Sequence, residues 1–99
     1  MADEQSIKEQ VKASLVRLQE IAPGRAVEVR IPPYAAVQVV AGHTHRRGTP
    51  SAVVETDAQT WLALADGTMT WDEALASGRL HASGERSDLR HLLPLSGRS

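Results

Sequence analysis

Ninety-nine residues are enough for one domain, 1–99, with a modest core. Eleven Lys and Arg against twelve Asp and Glu leave a formal net charge of −1, which argues against a general nucleic-acid binder. Cysteine is absent, so disulfide frameworks and thiolate zinc sites are excluded.

In chain order, Ile7, Val11, Leu15, Leu18 and Ala22 recur at helical spacing, and Ser6 with Glu9 has the spacing of a capping box. Pro23-Gly24 stops this first helix. "AVEVRI" then alternates, with Val27, Val29 and Ile31 on one face and Glu28 and Arg30 on the other, as a half-buried strand does. Pro32-Pro33 break it, and "YAAVQVV" supplies a second strand for a hairpin, with Gln38 on the polar face. "AVVE" reads as a short third strand. Thr56 and Gln59 have capping-box spacing and open a largely apolar helix, "DAQTWLALADG", which Gly67 ends. Thr70 and Glu73 open a second short helix closed by Gly78. "RLHAS" is the last strand, and Ser87 can cap a final helix, "DLRHLLPL". This order predicts an α+β domain, a mainly antiparallel sheet with helices packed on one face.

Phe is absent, and the aromatic residues are Trp61, Trp71 and Tyr34, so the core must come from Val, Leu, Ile and Ala. The opening "MADEQSIKEQ" is acidic and polar, unlike a secretory signal. The longest apolar run, "AAVQVVA", is too short to be a transmembrane segment. A cytoplasmic location is the expectation.

Three polar groupings carry candidate chemistry. In "GHTHRRGTP", His43 and His45 lie two apart, as a zinc site would begin, but no third ligand is nominated by spacing. Arg46 and Arg47 between Gly42 and Gly48 could form an anion-binding rim for a carboxylate or phosphate. The plain alternative is a solvated connection between strands. In "RSDLRHL", Ser87, Asp88 and His91 are the members of a hydrolase triad, yet one short helix cannot align all three with an oxyanion hole. Helix capping and dipole electrostatics account for the same residues, so no catalytic residue, cofactor or metal is assigned. Trp61 and Trp71 either line an apolar pocket or are simply the largest core residues.

"ETDAQTWLALADGTMTWDEALASGRLHASGERSDLRHLLPL" resembles the C-terminal half of the sterol carrier protein family, the non-specific lipid-transfer type. Asp57, Trp61, Leu64, Gly67, Trp71, Ala74, Leu75, Gly78, Leu80, Gly84, Leu89 and Leu92 occupy the places of that family's pattern. "APGRAVEVRIPPYAAVQ" and "RRGTPSAVVETD" resemble the first and middle segments of short stand-alone bacterial members. The chain is also similar to the domain appended to mycothiol-dependent maleylpyruvate isomerases. The resemblance implies a curved sheet with helices over one face and a non-catalytic role. The implied function is binding or transfer of a hydrophobic small molecule (a lipid, fatty acyl chain or sterol-like compound) in a cavity between sheet and helices. The expected ligand-binding residues are Val54, Trp61, Leu62, Ala65, Trp71, Leu75 and Leu92. Alanines in the covering helices either leave room for a ligand or let those helices settle on the sheet. The competing expectation is a ligand-free accessory module that forms a homodimer or docks on an enzyme partner.

Overall fold

The computed structural model describes residues 4–42 and 52–95. Helix α1 (Glu4–Ile21) is followed by strands β1 (Val27–Ile31), β2 (Ala35–Val39) and β3 (Ala52–Thr56). Helices α2 (Ala58–Asp66) and α3 (Trp71–Ala76), strand β4 (Leu80–Gly84) and a 3₁₀ turn (Arg90–Leu92) complete the order. The architecture is the expected α+β one, an open four-stranded sheet in the order β2-β1-β3-β4.

The β1–β2 and β3–β4 pairs are antiparallel, and β1–β3 is parallel. Registers Val29↔Val37, Val29↔Val54 and Val54↔Ala82 carry one apolar row across all four strands. The adjoining row, Ala36, Arg30, Glu55 and His81, faces the other way, because side chains alternate along each strand. The β1–β2 turn is closed by the Tyr34 N–H donating to the Ile31 carbonyl at 2.8 Å. Pro32 and Pro33 have no N–H to give a ladder, so the strand stops there.

Helix α1 packs on α2 and β2, and α3 packs on α2 and β4. Val11, Leu15 and Leu18 are the buried stripe of α1, as their spacing predicts. The helix begins at Glu4, however, so Ser6 lies inside the first turn and does not cap it. Its hydroxyl accepts from Gln10 Nε2 at 3.2 Å.

The expected cap of α2 is displaced by one residue. Thr56 ends β3 and its hydroxyl donates to the Arg79 carbonyl at 2.8 Å, which leaves Asp57 to accept from the Thr60 N–H at 2.8 Å. Gly67 closes α2 in a left-handed conformation, as predicted. At α3 the capping box forms in full. The Glu73 N–H donates to Thr70 Oγ1 at 3.1 Å, and the Thr70 N–H donates to Glu73 Oε1 at 2.8 Å. Thr70→Ala should cost about 1 kcal/mol, a typical loss for an N-cap. A urea unfolding curve with its midpoint lowered at unchanged slope would register it.

The predicted final helix is corrected to a single 3₁₀ turn, Arg90–Leu92. Pro94 disfavours helical backbone at Leu93, which is extended (φ −114, ψ 149), so the helix cannot propagate. The beginning of the turn is bonded by Asp88 rather than Ser87, with Asp88 Oδ1 accepting from the Arg90 N–H at 3.0 Å.

Candidate functional site

The sheet turns Val27, Val29, Ile31, Val39 and Val54 inward, all with zero exposure. Over them lie α2, whose buried residues are Ala58, Thr60, Trp61, Leu64 and Ala65, and α3, which buries Trp71 and Ala74. Leu89, Leu92 and Leu95 join the same core. The Leu95 N–H donates to the Ala65 carbonyl at 2.8 Å, tying the segment after the 3₁₀ turn to α2.

Of the residues expected at the ligand site, Val54, Trp61, Ala65, Trp71 and Leu92 are buried in this interior. Leu62 is half-buried and packs against it. Leu75 is not brought there: it lies at the surface, 39% exposed. Arg46 and Arg47, with His43 and His45, lie outside the described residues.

The helices have settled on the sheet. Two open concavities stand out, and both lie along the β1–β2 hairpin at the surface. The larger, about 610 Å³, is lined by Gln19, Gly24, Arg25, Glu28 and Gln38 among others. The smaller, about 380 Å³, surrounds Pro32, Pro33 and Tyr34. The outward side of β1 and β3 carries charge, as the alternation predicts: Arg30 meets Glu28 at 3.2 Å and Glu55 at 3.9 Å. The hydrogen bond from Arg30 to Glu28, reinforced by the Glu28 charge, strengthens the hold of the guanidinium on its proton.

One polar contact joins α1 to α2 inside this apolar setting. Trp61 Nε1 donates to Ser14 Oγ at 2.7 Å, and the Ser14 hydroxyl in turn donates to the Val11 carbonyl at 2.7 Å. Sequence reasoning missed Ser14, although the signal was there. It is a small hydroxyl residue beside Leu15 and three after Val11, facing the core rather than water. Ser14→Ala would leave the indole N–H unpaired, at about 1–2 kcal/mol. A lower unfolding midpoint together with a shifted Trp emission maximum would register the loss.

The grouping Ser87, Asp88 and His91 does not assemble as a triad. The Asp88 carboxylate is held by the Arg90 guanidinium at 2.9 Å, and Arg90 also reaches Asp72 at 3.0 Å. Partial desolvation would raise the Asp88 carboxyl. Hydrogen bonds from the Arg90 N–H and guanidinium, with the nearby Arg90 and His91 charges, outweigh it and hold the group below its usual range. Asp66 is also lowered, first by the Thr68 hydroxyl at 2.7 Å and then by the Thr68 N–H at 2.9 Å. Both are surface carboxylates and remain ionised at neutral pH.

Among the described residues, no three His, Asp or Glu side chains converge as metal ligands. No helix among them is long and apolar enough to cross a membrane.

Comparison with curated proteins found no match. Among solved structures, the chain is similar to palmitated SCP2L2 from Aedes aegypti, solved by solution NMR. That match has 18% identity over 99% of this chain and 96% of the other, with a TM-score of 0.47. It is also similar to the crystal structure of sterol carrier protein 2 like 2 from the same organism. There the identity is 18% over 89% and 91% of the two chains, with a TM-score of 0.43. The family model for bacterial SCP orthologs matches residues 3–95, a span covering every element described above. The chain therefore belongs to the bacterial SCP ortholog family.

Proposed function

We propose that this protein binds or transfers a hydrophobic small molecule, a lipid or an acyl chain, between its sheet and its helices, without catalysing a reaction on it. Family membership supports lipid binding as a class. The observation that carries the reading is the composition of the interior. Its wall is valine, its cover is Trp, Leu and Ala, and among the described residues its buried polar groups are Thr56 and Thr60 alone. An ion would find no counter-charge there, whereas an alkyl chain needs none.

Because the interior is closed, a ligand must separate elements to enter. Opening at helix α1 would break the packing of the buried Val11, Leu15 and Leu18, of Ile7, Ile21 and Ala22 beside them, and the Ser14–Trp61 contact. Exposing the three fully buried side chains alone costs roughly 5–9 kcal/mol at about 1.5–3 kcal/mol each. Each buried methylene returns about 0.8 kcal/mol, so a chain must bury on the order of ten to offset the opening. Long chains bind and short ones do not.

The test is extraction of the purified protein into organic solvent, with mass spectrometry for retained lipid. Titration with fatty acids and alcohols of increasing length, read by Trp emission, then follows. Saturable binding that strengthens with chain length is the expected result. An empty protein that answers to none of them overturns the reading. The closed interior also suits a second reading, an accessory module that docks without ligand; such a protein would stay empty in both assays and self-associate or bind an enzyme.

A further inference from the structure

We propose that Thr60 is the polar contact within the apolar site, and that it selects ligands carrying an uncharged oxygen. This rests on the carrier reading above. The Thr60 side chain is buried, 1% exposed, and its hydroxyl has no hydrogen-bond partner. Other buried or half-buried polar groups nearby are satisfied. Thr56 donates to the Arg79 carbonyl, Trp61 to Ser14, and Ser14 to the Val11 carbonyl. Thr60 is the exception, and it precedes Trp61 on the buried side of α2.

An orphaned hydroxyl in a core weakens the empty protein, and valine would fill the same volume without that penalty. A bound molecule can remove it by presenting an oxygen to the Thr60 O–H. The charge of that oxygen follows from the surroundings. Among the described residues no buried cation faces the interior, so an ionised carboxylate there would lose its hydration without compensation. The positive N-terminal end of α2 is already taken by the Asp57 carboxylate, which accepts from the Thr60 N–H and repels a second anion there. An alcohol, a sterol-like hydroxyl or an ester carbonyl meets both conditions.

The experiment compares a fluorophore-bearing long-chain alcohol with the same molecule in which hydrogen replaces the hydroxyl. Both are titrated into wild type, Thr60→Val and Thr60→Ser. Wild type should prefer the alcohol by about tenfold, the worth of one good neutral hydrogen bond. Thr60→Val should lose that preference, keep its affinity for the hydrocarbon, and melt at a higher temperature when empty. Thr60→Ser should restore the preference. An alcohol-to-hydrocarbon ratio that is the same in wild type and Thr60→Val overturns the proposal. So does a wild-type preference for the ionised fatty acid of equal length. If wild type binds neither probe, the carrier reading itself fails; the hydrocarbon arm, indifferent to Thr60, separates the two failures. Thr60→Ala gives the same ratio should the valine variant not fold.

Discussion

Trp61→Ala should remove about 4 kcal/mol of stability, in the range for deleting a fully buried large side chain. A domain of this size holds on the order of 5–15 kcal/mol in total, so the variant stands near the edge of folding. Two effects combine. The indole is fully buried where α2 meets α1 and the sheet, and alanine would leave a void that a core lacking Phe has nothing to fill. The Ser14 hydroxyl would also lose its donor across the α1–α2 contact. Thermal unfolding followed by circular dichroism should show a fall on the order of 20 °C, taking about 4–8 °C per kcal/mol for a chain of this length. A fall of only a few degrees would mean that Trp61 is not the centre of the core. Trp61→Phe separates the terms, because it keeps most of the volume and loses the hydrogen bond. It should cost about 1–2 kcal/mol.

Gly24→Ala should cost about 3 kcal/mol, by backbone strain and overpacking together. Gly24 has φ +148, a region that residues with a Cβ rarely adopt. A Cβ there would run into the Val40 carbonyl and the Ala41 nitrogen, which are backbone atoms with no rotamer to yield. The same spot holds a second strained residue, Val40, whose φ of 68 is unusual for a β-branched side chain. Two hydrogen bonds hold it. The Val40 N–H donates to the Ala22 carbonyl at 2.7 Å, and the Ala26 N–H donates to the Val40 carbonyl at 2.9 Å. These contacts clamp the end of β2 against the link between α1 and β1. Urea denaturation would show the loss as a lower midpoint. Gly78→Ala, where φ is +80 and a Cβ would meet open space, should cost only about 1 kcal/mol. Equal losses at the two glycines would rule out the close approach at Val40 as the cause.

The sequence by itself determined the strands and the first three helices, though not the final 3₁₀ turn, and most of the faces they bury. Val27, Val29 and Ile31 alternate with Glu28 and Arg30, and that alternation alone separates core from solvent. Val11, Leu15 and Leu18 recur at helical spacing and are the buried stripe of α1. Thr70 with Glu73, and Gly67, act within a few residues of themselves, so their roles could be read locally. Most of the expected ligand-site residues were recognisable as core by the same logic, but Leu75 was not recognisable as a surface residue. Its exposure depends on how α3 is rotated against β4 and α2, a property of packing partners.

Only the tertiary structure decided the rest. Sequence has no term for which strand lies beside which, so the parallel β1–β3 pair could not be read from it. Thr56 lost its capping role because β4 lay close enough for its hydroxyl to reach the Arg79 carbonyl. Ser14 and Trp61 are 47 residues apart and meet only once α1 crosses α2. Closure of the interior belongs here too. Alanine at Ala58, Ala65 and Ala74 permits either a gap or close contact with the sheet, and dispersion across the whole interface favours contact. The orphaned Thr60 hydroxyl follows from that closure, since a polar group is left without a partner only when every neighbour is in place.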